Sequence, residues 1–372
     1  MAKKKNIANS RRSYYWILGL TTALALFGLV MVTSASQIVA FAKYNDSLFF
    51  LKRQLLYLVG GAFLFWIFSK MDYHKLRSLS MPLAILSMVL LVLVFIPSIG
   101  HTAGGSSRWI PLGFINFQPS ELAKIAAVLL AVYLIDADRE ESFSDISSLI
   151  PFSVILVIAV LVMAQPDMGT TILIVATVFV VMIIGGLPWR YAFGISASGA
   201  VLFSGLILFE PYRFRRLISF IAPEQFAREG GFQITQSLIA LGSGGIFGTG
   251  LAMSKQKFFY LPAAHTDFIM AIVGEEFGII GTTLLVGAFI MLAVYGFSVA
   301  YNAPDNYGRL LAGGLSVMII GQAVVNMGAV VGLLPITGVP LPLVSYGGSS
   351  LLVIMTALGI IASVATYDRR VV

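Results

Sequence analysis

Of the 372 residues, 58% are hydrophobic and only 11% are charged, less than half the roughly 25% of an average soluble domain. So few charges cannot cover a water-facing surface, and the chain reads as a polytopic membrane protein without a large soluble domain. The lack of cysteine excludes disulfides, thiolate metal sites and a cysteine nucleophile. His74, His101 and His265 are too scattered in sequence for a histidine-built metal centre. The net charge of +7 does not argue for nucleic acid. Five of the 24 basic residues (Lys3, Lys4, Lys5, Arg11 and Arg12) form one N-terminal cluster, the pattern of a cytoplasmic anchor facing anionic lipid.

Charge-free runs predict the spans in chain order. Arg12 to Lys43 encloses the first, read as retained because no small-residue cleavage site follows its apolar run. Arg53 to Lys70 encloses a short second span, and Arg77 to Arg108 the third. A fourth covers 120–135 although it carries Glu121 and Lys124, because its neighbours would otherwise connect on the wrong faces. Asp145–Asp167, Asp167–Arg190 and Arg190–Glu210 bound the fifth, sixth and seventh. After a long segment, Glu276–Asp305 bounds the eighth. Arg309–Asp368 holds the ninth and tenth, turned at Pro335, Pro340 and Pro342. The expected fold is an all-α membrane protein of ten transmembrane helices forming a single domain, 1–372. Residues 1–13 make a basic cytoplasmic tail, and 210–268 a large extracytoplasmic loop between helices 7 and 8. Thirteen Lys and Arg then lie on the cytoplasmic side with both termini. The short outer loops hold only Lys43, Lys52, Arg53 and Arg108, as the positive-inside rule requires.

Charges at membrane depth are costly and have a partner or a function. Glu121 and Lys124, three residues apart, share one helix face. They read either as a neutralising structural pair or as a pair facing a cavity, where Lys124 meets a catalytic carboxylate or a bound phosphate. In the outer segment, Arg213, Arg215 and Arg216 stand beside Tyr212 and Phe214. They suit a lipid phosphate, since guanidinium donates in pairs to phosphate oxygens, or an interfacial anchor. The run from Gly242 to Gly250 is not a dinucleotide fingerprint, since Phe247 stands where the third glycine belongs. It is either an anion-binding loop or, the reading spacing favours, a tight turn after the amphipathic stretch Ile234–Leu241. Asp267, where the chain re-enters the membrane, serves equally as a helix cap or as a general base. Gln165-Pro166-Asp167 and the Gly338–Ser349 segment bring polar and helix-breaking residues to membrane depth, which is tolerated where they line a cavity.

Taken together, Arg108-Trp109-Ile110, Phe117 to Glu121 with Lys124, Gln165-Pro166-Asp167, Gln236-Ser237 through Gly250, His265-Thr266-Asp267-Phe268 with Gly274-Glu275-Glu276, and Gly338 through Ser349 resemble the SEDS family of cell-wall proteins. The resemblance covers nearly the whole chain, and Pro211–Arg216 and Gly231–Gly250 bring it nearer the cell-division branch than the elongation branch. It implies a SEDS-type transmembrane domain in the bacterial cytoplasmic membrane, at the division septum. The implied activity is polymerisation of lipid II, the undecaprenyl-diphosphate-linked disaccharide peptide, at the outer face. A class B penicillin-binding protein and divisome proteins are the implied partners, with no nucleic acid. By the same resemblance Asp267 matches an essential aspartate, and Glu121 and Lys124 a charged helix pair. Arg108, Arg213, Arg215, Arg216, Gln165, Asp167, His265, Ser243 and Ser345 are the further candidates for substrate contact. No metal ligand is assigned, although a divalent cation, Mg2+ or Mn2+, could assist. The chain departs from the family at Ala263, where relatives carry Glu.

The implied chemistry is an inverting attack of an acceptor hydroxyl on a sugar whose leaving group is a lipid diphosphate. It needs one base and positive charge, and no protein nucleophile. Competing readings are a lipid II flippase, an elongation-type polymerase, and a scaffold that only recruits the transpeptidase.

Overall fold

The structure, a computed structural model, describes residues 2–103, 106–113, 115–137, 149, 152–208, 214, 218–222 and 230–367. In chain order these form α1 (Ala2–Tyr44), α2 (Phe49–Lys70), α3 (Lys75–Leu93), β1 (His101–Ala103), β2 (Ser106–Leu112), β3 (Ile115–Phe117), α4 (Pro119–Ala137), α5 (Ser153–Ala164), α6 (Met168–Ile184) and α7 (Trp189–Leu208). They continue with α8 (Gly230–Ser243), α9 (Ile269–Tyr301), α10 (Asn306–Val330) and α11 (Gly348–Thr366). Among the described residues, six helices are long and apolar enough to cross a membrane: α1 from Arg11, α2, α3, α9, α10 and α11. The apolar helices α5 and α6 are shorter, at 12 and 17 residues.

α4 is the centre of the bundle. It packs on α3, α6, α10 and α11, and nearly all its side chains are buried. That surrounding explains how an apolar helix tolerates Glu121 and Lys124: neither meets lipid, and each meets the other. α2 lies against α11 at short range. A Cβ at Gly359 would sit 2.7 Å from the Phe65 carbonyl oxygen, and such small residues are what let membrane helices approach closely.

The all-α expectation needs one correction. The charge-free run Arg77–Arg108 is not one helix, because α3 stops at Leu93. Pro97 and Gly100 follow, and a Cβ at Gly100 would lie 2.8 Å from the Val94 carbonyl carbon, so the chain folds back on itself. Residues 101–117 then form a three-stranded antiparallel sheet in the order β1-β2-β3, with Ile110 paired to Phe117. The absence of charge marked an apolar run, but not that the run was broken by turn residues. The sheet passes directly into α4 and anchors its start, where the Gln118 N–H donates to Ser349 Oγ (3.0 Å) at the head of α11.

α9 is also not simple. It starts at Ile269, seven residues before the expected Glu276, and Gly278 breaks it with φ 65° and ψ −158°. The glycine loop after α8 fills that break. Ile279 N donates to Gly245 O (2.9 Å) and Ile280 N to Ile246 O (3.3 Å), while Thr249 N donates to Glu275 O (2.9 Å) and Gly250 N to Glu276 O (3.1 Å). Backbone groups freed by the kink are thus satisfied by another segment, as burial at membrane depth demands.

Candidate functional site

Asp267 ends a turn that spans Leu261–Phe268. The Ala263 carbonyl gathers three donors: Thr266 N (3.1 Å), Thr266 Oγ1 (3.1 Å) and Phe268 N (3.3 Å). Ala263 itself sits at φ 55°, so this position serves the turn through its backbone. The turn docks on the segment before α11. Tyr346 N donates to His265 O (2.9 Å), and Ser345 Oγ donates to Thr266 O (2.5 Å) and accepts from Leu341 N (2.9 Å). Asp267 is partly exposed. A methyl group at Gly338, whose φ is +76°, would lie 3.9 Å from its Oδ2. Asp267 is therefore not the N-cap of α9, whose cap residue is Phe268 without a side-chain bond.

His265 packs against Phe50 (ring centroids 4.5 Å apart) and Tyr346 (5.9 Å). Burial, reinforced by the charge of Lys43, pushes its imidazole down to about 4, so it stays neutral at physiological pH. Arg53, near the start of α2, acts electrostatically on Tyr346 and lies over the Phe49 ring at 4.5 Å. Sequence reasoning placed Lys43 and Arg53 only in outer loops. The fold adds that both flank the turn that carries Asp267.

Glu121 and Lys124 form a buried pair, 2.8 Å apart. Lys124 Nζ also donates to Gln322 Oε1 at 2.6 Å, and the residue is 1% exposed. Gln322 Nε2 donates onward to Pro340 O (2.8 Å) and Ser350 Oγ (3.1 Å). One turn along α10, Asn326 Nδ2 donates to Asp267 O and Val339 O, both at 2.8 Å. Gln322 and Asn326 were missed at the sequence level. The signal that could have found them is two carboxamides four residues apart in an otherwise apolar span.

A third group gathers at the head of α6. Asp167 caps that helix by accepting from Thr170 N (3.3 Å). Its Oδ2 also accepts from Gln118 Nε2 (3.3 Å) and Ser120 Oγ (3.4 Å). Arg108 on β2 donates to Gln165 O (2.9 Å) and Pro166 O, and its Nη1 lies 3.9 Å from Asp167 Oδ1. Gln165 Nε2 donates to Leu91 O (3.0 Å). This group adjoins the first, since a Cβ at Gly169 would lie 2.7 Å from both Thr337 Cβ and Val339 Cγ2. The Gly338 loop is therefore walled by α6 on one side and by the Asp267 turn on the other.

Below them, Glu276 pairs with Lys257 (3.2 Å) and accepts from Ser34 Oγ (2.7 Å) on α1. Glu275 accepts from Lys255 N (2.7 Å), Gln256 N (3.3 Å) and Ser254 Oγ. These carboxylates hold the loop after α8 onto α9. Ser243 joins neither group, because its hydroxyl donates to Ala240 O in its own helix (2.9 Å). Arg213, Arg215 and Arg216 lie outside the described residues. Among the described residues no three His, Asp or Glu side chains converge as metal ligands.

The arrangement offers one accessible carboxylate at the mouth of the bundle, a neutral imidazole beside it, and cations at the rim. Comparison with known proteins agrees in extent with the motifs. A relative from Geobacter sp. (strain M18), named probable peptidoglycan glycosyltransferase FtsW, is 41% identical over 95% of this chain and 96% of its own. Stage V sporulation protein E of Bacillus subtilis is 40% identical over 94% and 96%. A solved chain described under "Structural coordination of polymerization and crosslinking by a peptidoglycan synthase complex" superposes with TM-score 0.78 at 29% identity, covering 95% of this chain and 98% of that one. Residues 14–370 match the family described as cell cycle protein, which joins FtsW, RodA and SpoVE, and the chain belongs to that family.

Proposed function

We propose that the chain is a peptidoglycan glycosyltransferase that polymerises lipid II at the outer face of the bacterial cytoplasmic membrane, with Asp267 as general base. The observation that carries the reading is the setting of Asp267. It is a partly exposed carboxylate at the mouth, its backbone is held by Asn326, and Gly338 leaves room beside Oδ2. An inverting transfer asks for this and little more: one base to take the proton of the acceptor hydroxyl, and positive charge where the diphosphate departs. His265, neutral beside it, places no charge on the base. Lys43, Arg53 and Arg108 are described cations at this end, with Lys52 nearby paired to Asp46. Lys124 is buried away from any incoming phosphate. Among the described residues no three His, Asp or Glu side chains converge as metal ligands, and no step here depends on a metal.

The ten-span topology with both termini inside belongs to this reading. It puts the turn at Asp267, the Gln165–Asp167 turn and the Gly338 loop on the outer side. A class B penicillin-binding protein is the proposed transpeptidase partner, in line with the crosslinking named for the structural relative. Action at the division septum is part of the proposal, supported by the family description, cell cycle protein.

The test is glycan-strand formation from lipid II by the full-length chain reconstituted with its transpeptidase partner, run beside a lipid-scrambling assay on the same preparation. Wild type yields strands without scrambling. Asp267→Asn yields none and keeps the wild-type melting temperature. Scrambling without strands would turn the reading to a flippase, and strands from Asp267→Asn would remove the base assignment.

A further inference from the structure

The buried charged pair and the proposed base are joined by hydrogen bonds that run from side chains through the Val339-Pro340 backbone. Glu121 holds Lys124 at 2.8 Å, Lys124 donates to Gln322 at 2.6 Å, and Gln322 donates to the Pro340 carbonyl. Asn326, one turn away on the same face of α10, donates to the neighbouring Val339 carbonyl and to the Asp267 carbonyl itself. Both carboxamides are fully buried: Gln322 is 0% exposed and Asn326 2%. Each N–H of the Asn326 amide is spent on a different segment, one on the turn that ends in Asp267 and one on the Gly338 loop that faces it. The separation of those two segments is the separation of Asp267 Oδ2 from the Gly338 wall.

We propose that Asn326 and Gln322 are positioning residues for the glycosyl transfer, holding Asp267 against the Gly338–Ser345 segment, and that Lys124 acts on the reaction through Gln322. The proposal rests on Asp267 being the base. Lys124 orders the Gln322 amide: with its Oε1 accepting from an ammonium, the Nε2 side is fixed toward Pro340 and Ser350. A charge-assisted hydrogen bond of this kind is roughly twice as strong as a neutral one. In this arrangement the buried cation of α4 has no contact with substrate. Its charge is neutralised in place by Glu121, and what reaches the site is geometry.

The test uses full-length variants reconstituted with the partner and compares kcat, KM for lipid II, and the pH profile. Asn326→Leu keeps the heavy-atom count and the branching at Cγ and removes both donors. Displacing a reacting group by about 1 Å can cost about 100-fold, and the expected signature is a 10- to 100-fold fall in kcat with KM within about 2-fold. The acid limb of the pH profile, which reports the base, shifts with it. Gln322→Met gives the same signature at smaller amplitude. Lys124→Met lowers kcat in the wild type but adds less than about 2-fold on top of Gln322→Met, because residues that act as a unit are not additive.

A purely structural role would lower the melting temperature and leave kcat and the acid limb of folded protein unchanged, and that result overturns the proposal. So would additive effects of Lys124→Met and Gln322→Met. The natural absence of cysteine allows a readout without activity. Spin labels at Pro262→Cys and Leu333→Cys, both exposed, report the distance from the Asp267 turn to the start of the Gly338 segment. That distribution broadens in Gln322→Met, and an unchanged distribution refutes the latch even where Asn326→Leu does not fold. Strands from Asp267→Asn would refute the base. A dead Asp267→Asn beside a wild-type Asn326→Leu would refute only the positioning.

Discussion

The break in α9 yields a sharp prediction because its glycine has no room to change. Gly278 occupies φ 65° and ψ −158°, a region open in practice to glycine alone. A Cβ there would come within 2.5 Å of Gly248 N and 2.6 Å of Ile246 C, both backbone atoms that cannot rotate away. Gly278→Ala therefore faces backbone strain of about 1–3 kcal/mol and crowding of about 1–3 kcal/mol. Relief by moving the loop would lengthen the Ile279 and Ile280 hydrogen bonds to Gly245 and Ile246, at about 0.5–1.5 kcal/mol each. The loop either crowds or moves, so one of these last two costs adds to the strain, about 2–6 kcal/mol in all, which reaches the lower end of whole-domain stabilities. The assay is thermal unfolding of detergent-purified protein. The control is Gly287→Ala, where a Cβ meets nothing within 4 Å and helix propensity improves. Gly278→Ala is expected to melt far below wild type or fail to purify as a single species, while Gly287→Ala melts at or above wild type. Equal melting of the two variants would refute the reasoning that the glycine loop and the kink are one interlocked element.

The buried pair Lys257–Glu276 predicts that Lys257→Met alone destabilises by about 3–5 kcal/mol, since it strands a buried carboxylate. Adding Glu276→Gln should recover much of the loss in the same melting assay. The His265 imidazole, depressed to about 4 from 6.5, is neutral in the folded protein where the unfolded chain is protonated. Its contribution is present above about pH 6.5 and is lost as pH falls from there to about 4. His265→Gln should flatten the fall of melting temperature across that window, and an unchanged slope would reject the burial argument. Arg108→Ala removes the donor that ties β2 to the Gln165-Pro166 carbonyls. Limited proteolysis should then cut residues 101–117 faster, with little change in global melting.

Much of the framework was legible because lipid imposes simple rules. Where a helix faces lipid it must be apolar, so charge-free runs marked α1, α2, α10 and α11 and the bodies of α3 and α9. The readings that went astray are those where backbone, not side-chain character, decides. The sheet at 101–117 begins inside a run without charge and takes in Arg108 at its end, and Pro97, Gly100, Gly104-Gly105 and Gly113 were the hints of turns. The early start of α9 hides Glu275 and Glu276 inside the helix, and hydropathy reads them as a boundary. They are tolerated because the glycine loop, Ser34 and Lys257 reach them, and those partners lie 18 or more residues away in sequence.

The site divides along the same line. Residue types that stand out against an apolar background, such as Asp267, Glu121, Lys124 and Asp167, can be singled out from the chain, but what each touches cannot. Lys124 illustrates the difference. As a cation at membrane depth it invites a phosphate partner. Yet with Glu121 and Gln322 around it and 1% of its surface exposed, a phosphate could reach it only by displacing both. Leaving Glu121 without its partner would carry the large penalty of an uncompensated buried charge. Burial therefore moves Lys124 from binding to geometry. The same argument turns attention to cations that were read only as topology. Lys43 and Arg53 are at the rim, where in the proposed reading a diphosphate can be met without breaking a buried pair, while Arg108 stands beside the buried Asp167. A charge conspicuous in the sequence for being deep is for that reason badly placed to meet a ligand that stays at the surface.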